Sequence, residues 1–250
     1  MENSVFDSLR SKALLKHDVF NKALSSFELF RNVMRNLASE YVQKYKELDN
    51  VQFEFIENDD FRMELTFGSD VLVFMLHTNI FQFPRQHEVM KTGYITEDPY
   101  RSYCGVINIY NFLADSFRYN RQNDLGYMIG RVFINKDVHF FIEGKREVGQ
   151  LYHNFATSVL DEEAVTSIVK SAILYTVNFD LLTPPFDEVK LVRVEDMQST
   201  SNVRLITGKR LGFRFQGDHV EIQEQKLAGA NAGNEKKMKR IGFKDDENES

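Results

Sequence analysis

Residues 126–147 read GYMIGRVFINKDVHFFIEGKRE, and how this stretch folds back on itself decides the fold. Two runs of period two flank Asn135-Lys136-Asp137, three residues suited to a tight turn. With these three as the loop, Ile134 is expected opposite Val138, Val132 opposite Phe140 and Gly130 opposite Ile142. That apolar set shares one face of a two-stranded ribbon. The other face then carries Arg131 and Phe133 from the first strand, and His139, Phe141, Glu143 and Lys145 from the second. Such a mixed face is either a ligand surface or a half-covered sheet.

Upstream, the same period recurs in residues 51–57 (VQFEFIE), 61–67 (FRMELTF) and 70–79 (DVLVFMLHTN). Asn58-Asp59-Asp60 and Gly68-Ser69 separate them as turns. Phe53 and Phe55 alternate with Gln52 and Glu54, the pattern of an antiparallel sheet with one wet face. The third run is apolar on both faces, as a central strand would be. A short strand at 80–83 ends at Pro84, and another is expected over 103–110. Residues 85–102 show no periodicity, while 111–122 suit a helical turn.

Helices flank the strands. Residues 4–16 predict a short helix capped by Ser4, followed by a long one over 18–48. Phe20, Phe27, Met34, Tyr41 and Leu48 recur every seven residues, which allows a coiled-coil homodimer. Leu24, Ala38 and Tyr45 on one side, with Ala23, Phe30 and Leu37 on the other, widen the stripe toward a helix lying across a sheet. Past the hairpin, Val148, Leu151, Tyr152 and Phe155 predict one helix. Asp161 caps another whose face is Val165, Ile168, Val169, Ala172, Ile173 and Thr176. Strands are expected again over 190–195, 203–206 and 210–216.

Strands grouped together between helices predict an α+β fold. We expect an antiparallel sheet of about six to eight strands, covered by the long N-terminal helix and by C-terminal helices. The organisation expected is a helical segment over 1–48, an α+β core over 49–225 and a flexible charged tail over 226–250.

The chain of 250 residues has 31 basic and 37 acidic side chains, a formal net charge of −6. That balance opposes broad binding to nucleic acid, which rests on phosphate neutralisation. One cysteine, Cys104, excludes an internal disulfide and a thiolate zinc centre. With no apolar run of spanning length and no signal-like start, the expectation is a soluble cytoplasmic protein.

Chemistry is sparse. Glu143-Gly144-Lys145 resembles the E-x-K element of PD-(D/E)xK nucleases, in which a strand carboxylate holds a metal beside an ammonium. That resemblance implies Mg or Mn, with Glu143, Lys145 and Asp124 as the catalytic set. The family pattern also asks for an acid on the preceding strand, where Arg131 stands. Read structurally, Arg131 lies diagonally across from Glu143 and pairs with it. The six histidines show no H-E-x-x-H spacing, and no phosphate loop is present. Late in the chain, Lys236, Lys237, Lys239 and Arg240 surround Met238 and form a basic-apolar motif, ahead of acidic DDENE. The reading favoured is therefore a non-enzymatic interaction or adaptor protein without a cofactor. It would bind protein partners through Arg131, Phe133, His139 and Phe141, and protein or nucleic acid through the tail. The alternative is a metal-dependent nuclease or phosphodiesterase.

Overall fold

Ser4 starts a single helix, α1 (Val5–Lys44), through a reciprocal cap. Its hydroxyl accepts the Asp7 N–H at 3.2 Å, and the Asp7 carboxylate accepts the Ser4 N–H at 3.3 Å. The two helices expected here are one, because Lys16-His17-Asp18 contains neither Gly nor Pro and nothing interrupts the ladder. Val19, Ala23, Phe27, Phe30, Met34 and Ala38 form the buried stripe. Phe27 and Met34, two positions of the heptad seam, are wholly buried within their own chain, against the sheet.

The computed structural model describes residues 4–45, 51–149, 154–180, 183, 185–191 and 194. The chain divides into two compact units, Met1–Asn178 and Phe179–Ser250. The first contains the sheet: β1 (Phe53–Asp59), β2 (Arg62–Phe67), β3 (Asp70–Leu76), β4 (Phe81–Gln82), β5 (Tyr103–Leu113), β6 (Tyr127–Asn135) and β7 (Phe140–Gly144). These seven strands form one antiparallel layer ordered β1-β2-β3-β5-β6-β7, with β4 pairing to the start of β5. Short helices α2 (Gly93–Glu97), α3 (Ala114–Arg118) and α4 (Arg146–Gly149) lie in the connections, and α5 (Glu162–Val177) follows. Asp161 caps α5 through the Ala164 N–H at 2.8 Å. In the second unit, α6 (Phe186–Val189) is a single turn. Lys190 and Leu191, expected in a strand, lie outside any strand. Residues 203–206, 210–216 and the tail lie outside the described residues.

One face of the sheet packs under α1 and α5. Met63, Leu65, Leu72, Phe74, Ile107, Ile109, Val132, Ile134, Phe140 and Ile142 meet Phe27, Phe30 and Met34 of α1, and Val165, Ile168 and Val169 of α5. Arg31, itself buried, ties α1 to the β1–β2 turn: it pairs with Glu28 (2.6 Å) and Glu57 (3.3 Å) and donates to the Asp59 carbonyl at 3.2 Å. Gly105 sets how closely helix and sheet approach, since a Cβ there would stand 2.3 Å from the Ala23 Cβ.

The β6–β7 hairpin has the expected parity and a different register. Ile134 faces Phe140, Val132 faces Ile142, and Gly130 faces Gly144. The loop is Lys136-Asp137-Val138, one residue later than expected. Asn135 explains the shift: its N–H donates to the His139 carbonyl at 3.0 Å, and its side-chain Oδ1 accepts the N–H groups of Asp137 (2.9 Å) and His139 (3.0 Å). The turn closes by placing Val138 at φ 60, uncommon for a β-branched residue. A slip of two leaves every face assignment intact, so Val132 is fully buried and Arg131 exposed. Arg131 now lies directly opposite Glu143 rather than diagonally. The helix expected through Phe155 is the single turn α4 among the described residues, with Phe155 in a separate turn.

Gly105→Ala drives a methyl group into the Ala23 side chain of α1 and should lower unfolding free energy by about 1–3 kcal/mol. Urea denaturation should show an earlier midpoint at unchanged slope. An unchanged midpoint would mean that α1 does not cross β5 at this point.

Candidate functional site

The second face of the sheet is covered at both ends and exposed between them. At one end, Phe83, Ile95, Cys104, Val106, Phe133, Phe141 and Phe155 form a smaller core, with Val89, Met90 and Tyr94 packed against it. Phe83 and residues 85–95, the latter within the segment that shows no sequence periodicity, supply much of this cover. Phe133 and Phe141 stack at 4.8 Å with their planes 9° apart, and Phe83 stands 5.1 and 5.3 Å from them. Both are only 7% exposed, so neither lies on an accessible ligand surface as the sequence leads one to expect. Burial also pushes the Cys104 thiol well above its ordinary range.

At the other end, α3 lays Phe117 edge-on against Phe112 of β5 (5.3 Å). The Arg62 guanidinium sits 5.8 Å from the Phe117 ring and pairs with the buried Glu64.

Between these covers runs one rung of the sheet. Cross-strand pairing aligns Arg62 with Met75, Met75 with Asn108, Asn108 with Arg131, and Arg131 with Glu143. Residues in register on adjacent strands point the same way. The contrast on β3 is sharp: Val73 is 2% exposed and Met75, two residues on and on the same side, is 42% exposed. Arg131 Nε donates to Glu143 Oε2 at 2.6 Å, and its guanidinium lies 5.2 Å from the Phe133 ring. His87 Nε2 lies 3.4 Å from Glu143 Oε1. Its Nδ1 accepts the Val89 N–H at 3.3 Å, which places the proton of the neutral ring on Nε2, facing the carboxylate. His87 also stacks on Phe83 at 4.8 Å and joins the small core to the rung.

The other candidates separate. Strand β7 ends at Gly144, one residue before Lys145, whose backbone N–H donates to the Ile129 carbonyl at 2.9 Å. Asp124 accepts the Ser116 hydroxyl at 2.7 Å and approaches Arg121 at 3.8 Å, a cluster belonging to the loop after α3. Among the described residues, no three His, Cys, Asp or Glu side chains gather as a metal-holding group, and no helix is long and apolar enough to cross a membrane. Lys236, Lys237, Lys239 and Arg240 lie outside the described residues.

His139 belongs to a polar cluster at the hairpin tip. Its ring stacks on Tyr94 (5.1 Å, 11°), and its Nδ1 lies 3.1 Å from the Phe155 carbonyl, to which it donates. Arg101 sits 4.3 Å from the Tyr94 ring and donates to Asp137 at 3.0 Å. The Tyr94 hydroxyl accepts from Asn135 Nδ2 (2.9 Å) and donates to Asp137 (3.2 Å). Burial raises the Tyr94 phenol above its ordinary value, despite the opposing bond from Asn135. Lys136 Nζ reaches Asp98 at 2.6 Å, and that bond lowers the Asp98 carboxyl below the usual range. The sequence reading misses His87, Asn108, Met75, Tyr94 and Arg101 as contributors. Only cross-strand register sets Asn108 beside Arg131 and Met75 beside Asn108, and His87, Tyr94 and Arg101 lie within the unpatterned segment 85–102.

Comparison with known proteins finds no matching family model, no matching curated protein and no matching solved structure.

The Asp98–Lys136 bond has a pH signature. A carboxyl more acidic in the folded chain than in the unfolded one adds stability above its unfolded value, near pH 4, and loses it as pH falls through the lower folded value. Asp98→Asn should therefore be less stable than the parent at pH 7, with the difference shrinking below about pH 4. Urea midpoints across that range measure it, and a pH-independent difference would show that the ion pair is not its source.

Proposed function

We propose that this protein is a non-enzymatic interaction protein that takes a protein partner across the exposed rung of its second sheet face. The observation that carries this reading is the exposure of Met75, the penultimate residue of an otherwise buried central strand, on a rung between the two covered ends of the face. Methionine is an adaptable contact for a partner's apolar side chains. Two strands along the same rung, with Asn108 between, Arg131 is oriented by Glu143 and lies over Phe133. A preoriented arginine next to an apolar patch has the composition of an interface centre.

The commitments of Glu143 support binding over hydrolysis. One oxygen meets Arg131 and the other faces His87, while Asp124 accepts the Ser116 hydroxyl. The buried Cys104 suits a reducing, cytoplasmic setting. The basic residues from Lys236 to Arg240 are a second proposed contact, supported by the sequence alone.

Met75→Asp and Arg131→Ala alter the rung without touching the main core. Affinity capture from the native cell, followed by binding measurements on whatever the parent retains, should show affinity falling by tenfold or more in Met75→Asp, about 1.4 kcal/mol. Arg131→Ala should weaken binding in the same direction. Retention of the same partners at parental affinity by both variants, with unchanged circular dichroism, would overturn the proposal.

A further inference from the structure

A second surface lies at the edge of the sheet. Strand β1 pairs with β2 alone among the described residues. Gly68 donates its N–H to the Gln52 carbonyl at 3.1 Å, which sets the phase of the antiparallel ladder. Gln52, Glu54 and Ile56 therefore turn their backbone groups toward β2, while Phe53, Phe55 and Glu57 turn theirs outward. A row of outward N–H and C=O groups has one geometric complement, another extended chain.

The side chains along this edge specify what that chain carries. On the helix side, Phe53 stacks on Tyr41 (4.7 Å, 19°) and Phe67 (5.8 Å, 26°), and Phe55 lies 5.5 Å from the Arg35 guanidinium. Both rings are half-buried, leaving apolar surface for a neighbour on an added strand. On the opposite side stand Glu54 and Ile56. Glu57 is balanced by Arg31 and Arg35. Glu54, Asp59 and Asp60 add negative charge at or beside the edge. A register shift between Glu57 and Asp59 ends the regular ladder, so the usable edge is Phe53 to Glu57.

The geometry points to β1 as a docking edge for an extended segment of a partner protein, with aromatic or aliphatic side chains alternating with Lys or Arg. The apolar positions would lie beside Phe53 and Phe55, and the basic ones beside Glu54. A second copy of this chain fits worse, because its β1 brings the same acids to the shared seam. This edge is distinct from the Met75–Arg131 rung, and neither proposal depends on the other.

The test uses the full chain and three peptides: one with Lys or Arg at every second position and Val or Phe between, one with Glu in place of the basic residues, and one basic peptide with a central Pro. Amide hydrogen exchange is followed at Phe53, Phe55 and Glu57. In the free protein these amides should exchange rapidly, and the basic alternating peptide should protect them. The acidic and Pro-containing peptides should not. Glu54→Lys should weaken the basic peptide about tenfold. The proposal is overturned if these amides are protected in the protein alone, as coverage by the same chain or by a second copy would make them. It also fails if the basic peptide binds without protecting them, or binds Glu54→Lys as well as the parent.

Discussion

The constraint on which the rest depends is the contact of α1 with the sheet where Ala23 crosses Gly105. Helix and strand approach too closely there for any Cβ on the strand. Phe27, Phe30 and Met34 then fall on Phe74, Ile107, Ile109 and their neighbours. Burial of these rings and chains removes a large apolar area from water, the main favourable term in folding. It also fixes which residues of every strand point inward. Because strand side chains alternate with a period of two, that choice assigns the opposite face at the same moment.

What happens on the opposite face is set by two covers of different make. The segment through Phe83, His87, Val89, Tyr94 and Ile95 closes over Phe133 and Phe141, while α3 closes over Phe112. The rung of Met75, Asn108, Arg131 and Glu143 lies between. Arg131 there is held by a carboxylate that is itself approached by His87, so its guanidinium is oriented in advance of any partner. Orientation before contact lowers the entropic cost of binding, which is why a single exposed arginine on a rigid strand counts for more than one on a loop.

The fold class is legible in the sequence because period-two runs such as FRMELTF and the broad stripe of α1 have simple physical causes. The parity of the β6–β7 hairpin is legible for the same reason: Val132 and Ile134 are apolar, and Arg131 is not. Its register is not, since Asn135 uses its side chain as a surrogate backbone acceptor and Val138 accepts a left-handed conformation, choices that hydrophobic pattern does not report. The candidate site was only half legible. Arg131 and Glu143 could be read from the hairpin, but Phe133 and Phe141 are indistinguishable by sequence from exposed aromatics until residues 83–95 are seen to fold over them. Met75 presents the reverse difficulty, as an exposed residue within an apolar run.

Oxidative footprinting of the methionines tests the central claim most directly, because sulfoxide formation follows exposure. Met75 and Met128, 42% and 39% exposed, should react with dilute peroxide well before Met34 and Met63, which are fully buried. If Met75 proves as protected as Met63 in the native protein, the second face is closed at its centre and the account of the exposed rung is wrong.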